Sequence, residues 1–396
     1  MKNHKGRIEN GSIVAIVIIV GVITLLAVYS FYNSEKKIKV DNSYYKFDKD
    51  IGSMREIENP TMEGDVLLLP DKIDGYFVRE LNLYNLDESI HRITIPEHVQ
   101  EVSGVHEIDE FIVDENNRFL TAYNGSLYNK ELDTLYYLVG KSGDVIEFPK
   151  TLRNISSVGI NTENMILKFN CPVDLIQTNT WNSMEELISN AKDVIFSEDE
   201  TNYYKEDGII YKNNGKDLVS YKREVPCNEY IVSGDVERIG KFAFSNCNIN
   251  KIIIGNSVKY IEEYAFCCNF YLKTIDINDD IKEIKEGTFN YCSHLKQVKF
   301  PKNLKYIDKM AFAGTAVEIL ELPEGLIEID ERAFWYCENL KSVYFPNSLK
   351  VIGKEAFSAG WGQNSLKNVT ISENTFLEGE NIFDSETKVN KKQTGA

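Results

Sequence analysis

The chain has 396 residues, 43% hydrophobic and 27% charged, with 44 Lys+Arg against 61 Asp+Glu and a net charge of −17. That surplus of carboxylates argues against a nucleic-acid partner, because no basic stripe is available to displace counterions from a phosphate backbone. Seven cysteines without a CxxC pair argue against a closed disulfide framework and against a zinc ribbon.

Residues 1–12 read as a short N-terminal tail carrying Lys2, Lys5 and Arg7. Residues 13–32 then run from Ile13 to Tyr32 without a charge, long enough to cross a bilayer as one helix with an aromatic end at the interface. The stretch is predicted to be a transmembrane signal-anchor; the alternative is a cleaved secretory signal with Val28 and Ser30 at the cut site. Lys36, Lys37, Lys39, Lys46 and Lys49 follow it and outnumber the basic residues before it, so counting charges does not orient the segment. Residues 33–60, polar and closed by Pro60, read as a stalk and cap.

Residues 61–235 carry an apolar strand pattern with an irregular period. Gly64-Asp65-Val66-Leu67-Leu68-Leu69-Pro70 is a strand ended by a proline that cannot continue a ladder, and Ile93-Thr94-Ile95-Pro96 repeats the form. A longer repeat relates Phe111-Ile112-Val113 through Asn124-Gly125-Ser126-Leu127-Tyr128 to Val194-Ile195-Phe196 through Asp207-Gly208-Ile209-Ile210-Tyr211, 83 residues on. The Asn-Gly and Asp-Gly steps tolerate positive φ at both central turn positions, so each copy is predicted to carry a β-hairpin insertion.

Residues 236–372 hold a regular repeat of 22 or 23 residues. Its phenylalanine column is Phe244, Phe266, Phe289, Phe312, Phe334 and Phe357. One residue earlier stand Ala243, Ala265, Thr288, Ala311, Ala333 and Ala356, and five residues earlier Ile239, Ile261, Ile284, Ile307, Ile329 and Ile352. A unit this short cannot bury its own apolar face, so the copies must stack into one elongated body with a shared core. Cys247, Cys292 and Cys337 recur in alternate copies. Cysteines two coils apart are separated by about 10 Å, too far to bond, and read as small buried hydrophobes. Strands are predicted at Ile252-Ile253-Ile254, Ile275-Asp276-Ile277, Val298-Lys299-Phe300, Leu320-Glu321-Leu322, Val343-Tyr344-Phe345 and Val369-Thr370-Ile371. Their alternation marks strands buried on one side only. Residues 373–396 read as a C-terminal cap and tail without a hydrophobic stretch for sorting or lipid anchoring.

The phrase aliphatic-x-x-Ile-x-x-x-Ala-Phe-x-x-Cys-x-x-Leu-x-x-Val-x-Phe-Pro resembles the BspA-type leucine-rich repeat. One copy is Ile281, Ile284, Thr288, Phe289, Cys292, Leu295, Val298, Phe300 and Pro301. Departures are Asn269 and Thr315 at the cysteine position, Thr288 for alanine, and a final coil lengthened at 360–365. The resemblance implies a β-rich (α/β-type) solenoid, a right-handed leucine-rich repeat array of about 12–13 coils with one short strand per coil. It also implies a bacterial protein, displayed on the cell surface or secreted, of a family linked to adhesion and host-protein binding.

On a one-sided strand the middle residue points outward. Ile253, Asp276, Lys299, Glu321, Tyr344 and Thr370 therefore form the predicted partner-binding column, with Lys251, Thr274, Gln297, Ile319, Ser342 and Asn368 beside it. Tyr344 beside Glu321 and Lys299 is the strongest candidate, since aromatic anchors flanked by charge are common in binding patches. The hairpins near Tyr128 and Tyr211 are a second docking place, whereas Tyr291, Trp335 and Tyr336 read as packing on the opposite side. His91, His98 and His106 have no metal-ligand spacing, and the loops Asp114-Glu115-Asn116-Asn117 and Ser197-Glu198-Asp199-Glu200 read as solvated turns. No GxSxG, HExxH, P-loop or dinucleotide fingerprint is present, so neither catalysis, a metal nor a cofactor is expected. The expected function is that of a single-pass, surface-displayed module binding a protein or other surface macromolecule. The alternative is a cell-envelope scaffold or spacer without a dedicated ligand.

Overall fold

The computed structural model describes residues 36–393, apart from 41–42, 85, 106–107, 157–161, 179–182, 223–226, 233 and 361–365. The predicted anchor at 13–32 and the tail at 1–12 lie outside the described residues. Among the described residues no helix is long and apolar enough to cross a membrane. The described residues form a β-solenoid with little helix, about 14 turns where 12–13 coils were expected, and the chain divides into two compact units, one ending at Val139 and one starting at Gly140. The sequence pattern suggested a single body; because each coil of a stacked array packs only on its neighbours, an array can divide without any change in coil geometry.

The first unit opens with an antiparallel meander, Lys36–Val40, Ser43–Asp48 and Ser53–Glu58. It occupies most of the stretch expected to be stalk and cap. Tyr45, Phe47 and Met54 point into the core while Lys37, Lys39 and Lys46 face out, a period-2 alternation of the kind that makes a half-buried strand. The last meander strand pairs in parallel with Glu80–Asn82, and that with Glu101–Ser103. A second parallel ladder joins Val66–Leu67, Arg92–Ile95 and Glu110–Val113.

Both predicted hairpins form. Leu120–Tyr123 pairs with Ser126–Asn129 around Asn124 (φ 49°) and Gly125 (φ 78°). In the second unit Tyr204–Glu206 pairs with Ile209–Lys212 around Asp207 (φ 49°) and Gly208 (φ 74°). Two consecutive left-handed residues twist the turn to match the strands. Each hairpin gains a third antiparallel strand, Thr134–Tyr137 and Asp217–Tyr221.

From residue 236 each regular coil stacks on the next at three places. The main strands Cys227–Val232, Ile249–Ile254, Thr274–Asp276 and Gln297–Lys299 pair in parallel, as do Ile319–Glu321 with Ser342–Tyr344. Two-residue strands such as Glu283–Ile284, Tyr306–Ile307, Glu328–Ile329 and Val351–Ile352 form a second parallel ladder. At the Ala-Phe corner the phenylalanine N–H donates to the next coil, for example Phe289 to Ala311 O at 2.7 Å and Phe312 to Ala333 O at 2.8 Å. The expectation of one short strand per coil is thus corrected to two. A two-residue strand carries no measurable alternation, so hydrophobic periodicity cannot reveal it.

The phenylalanine column is the spine of this core. Six successive ring pairs from Phe244 to Phe383 stack with centroids 5.0–5.4 Å apart, and Tyr221 stacks on Phe244 at 5.4 Å. The spine therefore runs one ring further at each end than the sequence period indicates. In the stretch expected to be cap and tail, Phe376–Leu377 and Lys388–Lys392 pair in parallel with the preceding coil.

The cysteine column does more than fill space. Cys292 donates its thiol to Phe266 O at 3.0 Å and Cys337 to Phe312 O at 3.2 Å. The two departures keep a donor at that position, Asn269 Nδ2 to Phe244 O at 3.2 Å and Thr315 Oγ1 to Phe312 O at 2.9 Å. Thr315 serves the carbonyl of its own coil, which Cys337 also reaches, and Asn269 leaves its buried Oδ1 without a hydrogen-bond partner among the described residues, so a polar side chain at this position carries a desolvation cost that cysteine does not. Burial pushes the thiols of Cys247 and Cys292 up to about 12, so they are unreactive.

Candidate interaction face

The main strands of the second unit set their inward residues into the core, among them Ile252, Ile275, Leu320, Val343 and Val369. The residues on either side consequently point outward. Register places Ile253, Asp276 and Lys299 side by side on three consecutive strands, with Ile231 before them. Glu321 is in register with Tyr344 on a second group of strands, and Thr370 with Asn390 on a third. All six predicted residues therefore lie on the outward side, and register brings them together as a group of three, a pair and one apart.

Tyr344 is the most exposed of the large hydrophobic side chains in the predicted column, at 62%. Lys299, Glu321 and Thr370 are also exposed, whereas Ile253 and Asp276 are half-buried. In the neighbouring column Ile319, 57% exposed, stands one residue from Leu320 on the strand that carries Glu321. Ile319, Glu321 and Tyr344 thus form a patch of two apolar groups and one carboxylate. At the other end Lys251 holds Glu229 at 2.7 Å, and that hydrogen bond raises the lysine above its ordinary pKa.

The second predicted docking place is corrected in part. Tyr128 is 1% exposed and belongs to the core, because its strand buries three consecutive side chains. Tyr211 is half-buried against Tyr204, with ring centroids 5.4 Å apart, so the outward aromatic of that hairpin is Tyr204. Tyr291 and Tyr336 sit at corners with φ of 56° and 59° and are exposed at the surface, and Trp335 packs on Tyr336 at 5.5 Å.

His98 stacks on Phe77 at 3.8 Å and bonds Asp71 at 3.0 Å; His106 lies outside the described residues. Among the described residues no group of three or more potential ligands converges on a metal position. The acidic loops are tied to backbone: Asp114 Oδ1 accepts from Asn116 N, and Glu200 accepts from the N–H groups of Val173, Asn202 and Tyr203.

Sequence reasoning missed a second outward column, on the two-residue strands. Arg238, Tyr260, Glu283, Tyr306, Glu328, Val351 and Phe376 occupy equivalent positions on successive coils. Tyr260, Tyr306 and Phe376 are 54%, 40% and 63% exposed. The only sequence signal is that the residue before each repeat isoleucine is never a small aliphatic in the first five copies. Beside this column, burial pushes the Asp308 carboxyl up to about 6, helped by the nearby charges of Glu283, Asp330 and Glu328. A carboxyl with a raised folded-state pKa contributes stability that is complete below its unfolded value and lost as pH rises through about 6. Asp308→Asn is expected to stabilise the protein at pH 7 by about 1 kcal/mol after allowance for solvent screening. The gain should vanish near pH 4, as measured by denaturant titration at both pH values; an equal gain at both would assign the effect to packing.

Residues 220–337 and 307–393 match the model of the BspA type leucine-rich repeat region, in six copies. Residues 220–393 carry BspA-type leucine-rich repeats. Among solved structures, the pneumococcal vaccine antigen PcpA is 16% identical with a TM-score of 0.50, and the match covers 91% of this chain and 99% of that one. That likeness is one of fold. A leucine-rich cell surface protein of Faecalibacterium prausnitzii is 15% identical over 92% of this chain and 96% of its own, with a TM-score of 0.48. A leucine-rich repeat protein of Eubacterium ventriosum is 16% identical over 90% and 95%, with a TM-score of 0.45. No curated protein matches the chain. The BspA-type match extends the repeats past the Ile371 boundary drawn from the sequence period.

Proposed function

We propose that this leucine-rich repeat protein is a surface-displayed binding module, mediating protein–protein interaction or adhesion to host or cell-surface macromolecules. Residues 13–32 anchor it by a single pass, and the repeat body is extracellular. The working surface is the outward side of the main strands around Tyr344, Glu321 and Lys299.

One observation carries the reading. The inward positions of the strands keep one chemistry from coil to coil, while the outward positions change from Ile253 to Asp276, Lys299, Glu321, Tyr344 and Thr370. Stacking dictates the inward set and places no demand on the outward one, so dissimilar outward side chains, grouped by register, are left for a partner. An exposed tyrosine beside a carboxylate and an exposed isoleucine has the composition of an interface centre.

Protease treatment of intact cells is expected to remove the repeat body, and full protection would overturn surface display. For a partner captured by the full-length protein, Tyr344→Ala is expected to cost about 2 kcal/mol of binding, the scale of a hot-spot residue, with unchanged thermal melting. Binding that ignores both Tyr344→Ala and Glu321→Lys would move the site off this face.

A further inference from the structure

We infer that the outward column of the two-residue strands is a second binding surface, and that its ligand is an extended, uncharged glycan. Register joins Glu283, Tyr306, Glu328, Val351 and Phe376 on consecutive strands. Tyr260 stands two coils before Tyr306, and Phe376 three coils after it. The rings of the core spine measure the advance per coil at 5.0–5.4 Å, about the length of one sugar in an extended β-linked chain. Exposed rings separated by whole numbers of coils therefore meet sugars separated by whole numbers of residues. A periodic surface of this kind suits a periodic polymer, because each added sugar finds an equivalent place one coil further along.

The chemistry between the rings fits hydroxyl groups. Aromatic faces offer large apolar area to the C–H faces of pyranose rings. Glu283 and Glu328 stand on either side of Tyr306 and have no ion-pair partner among the described residues, so their carboxylates are available to accept from sugar O–H groups. On the flanking side, Lys259 is held by Glu237 at 3.5 Å and Lys305 donates to Gly325 O at 3.1 Å, leaving Lys282 and Lys350 as donors among the described residues. Asp308 and Asp330 stand beside the column and, with Glu283 and Glu328, offset the lysines on the flanking side, so no field of one sign selects a charged polymer.

The test is titration calorimetry of the purified full-length protein with cellohexaose and chitohexaose, with cellobiose for length and a galacturonic acid hexamer for charge. A neutral hexasaccharide is expected to bind at least about tenfold tighter than the disaccharide, since it spans two or more rings. Tyr306→Ala and Phe376→Ala should each weaken it about tenfold, while Tyr344→Ala on the other face leaves it unchanged. Should Tyr306→Ala lower the melting temperature, Phe376→Ala, at the most exposed ring of the column, carries the test. Absence of binding by both neutral hexasaccharides, preference for the galacturonic acid hexamer, or unweakened binding by the ring variants would overturn the inference. None of these outcomes bears on Tyr344 and the protein-binding face.

Discussion

Replacing Phe312 by alanine is expected to remove about 3–5 kcal/mol of unfolding free energy, the range for deleting a fully buried ring from a core that closes only partly over the cavity. Phe312 lies between Phe289 at 5.0 Å and Phe334 at 5.2 Å, and Phe300 meets it edge-on at 5.6 Å. The loss therefore removes contacts in three coils, and neither neighbour can move to fill the space without leaving its own stack. Phe383 provides the comparison. It is half-buried at one end of the spine and stacks on Phe357 at 5.4 Å, so Phe383→Ala should cost about 1–2 kcal/mol. Denaturant titration with amide hydrogen exchange reads both values and shows which coils open. Equal costs would mean that the spine does not act as a continuous core.

Gly287→Ala should destabilise by about 2–4 kcal/mol, although it adds a single methyl group. The corner two residues before each repeat phenylalanine is left-handed throughout, with φ between 53° and 60° at Phe242, Tyr264, Gly287, Met310, Arg332 and Glu355. The fold holds non-glycine residues there because the corner N–H groups donate to the next coil, as Met310 does to Glu331 O at 3.1 Å. Gly287 differs in what covers it: an added Cβ would lie 2.1 Å from Cε1 of Tyr264. That ring is held by stacking on Phe242 at 5.4 Å and by donating to Glu286 Oε1 at 2.6 Å. A double-mutant cycle with Tyr264→Ala should return all but about 1 kcal/mol of the loss, the residue being backbone strain. Strictly additive effects would show that the ring is not the obstacle.

The repeating columns were legible because stacking imposes one chemistry on every copy, and the hairpins because Asn-Gly and Asp-Gly encode their turn locally. A third such step, Asp74-Gly75, with φ of 51° and 82°, makes the small hairpin Lys72–Ile73 and Tyr76–Phe77. Its turn step is as local a signal as the other two, but the flanking strands are only two residues long. Phe383 escaped the period because it follows Phe357 by 26 residues and is preceded by isoleucine, not alanine. Tyr221 escaped because its aromatic role is filled by a tyrosine on a hairpin strand. The six predicted residues on the main strands all proved outward, since a period of two settles the side of a strand once its inward residues are known. How they group was not legible, because register between coils depends on the turns that separate them.

By itself the sequence determined that residues 236–372 stack as repeated coils, which side chains fill their core, and where the two large hairpins turn. These follow from local chemistry repeated at a constant spacing, so each copy states the same answer. Only the tertiary structure decided that each coil carries a second strand, that the cysteine position serves a buried carbonyl, and that Tyr260, Tyr306 and Phe376 share one outward column. Those features arise between coils, where backbone atoms some 22 residues apart meet, and nothing within a single copy specifies what its neighbour will present.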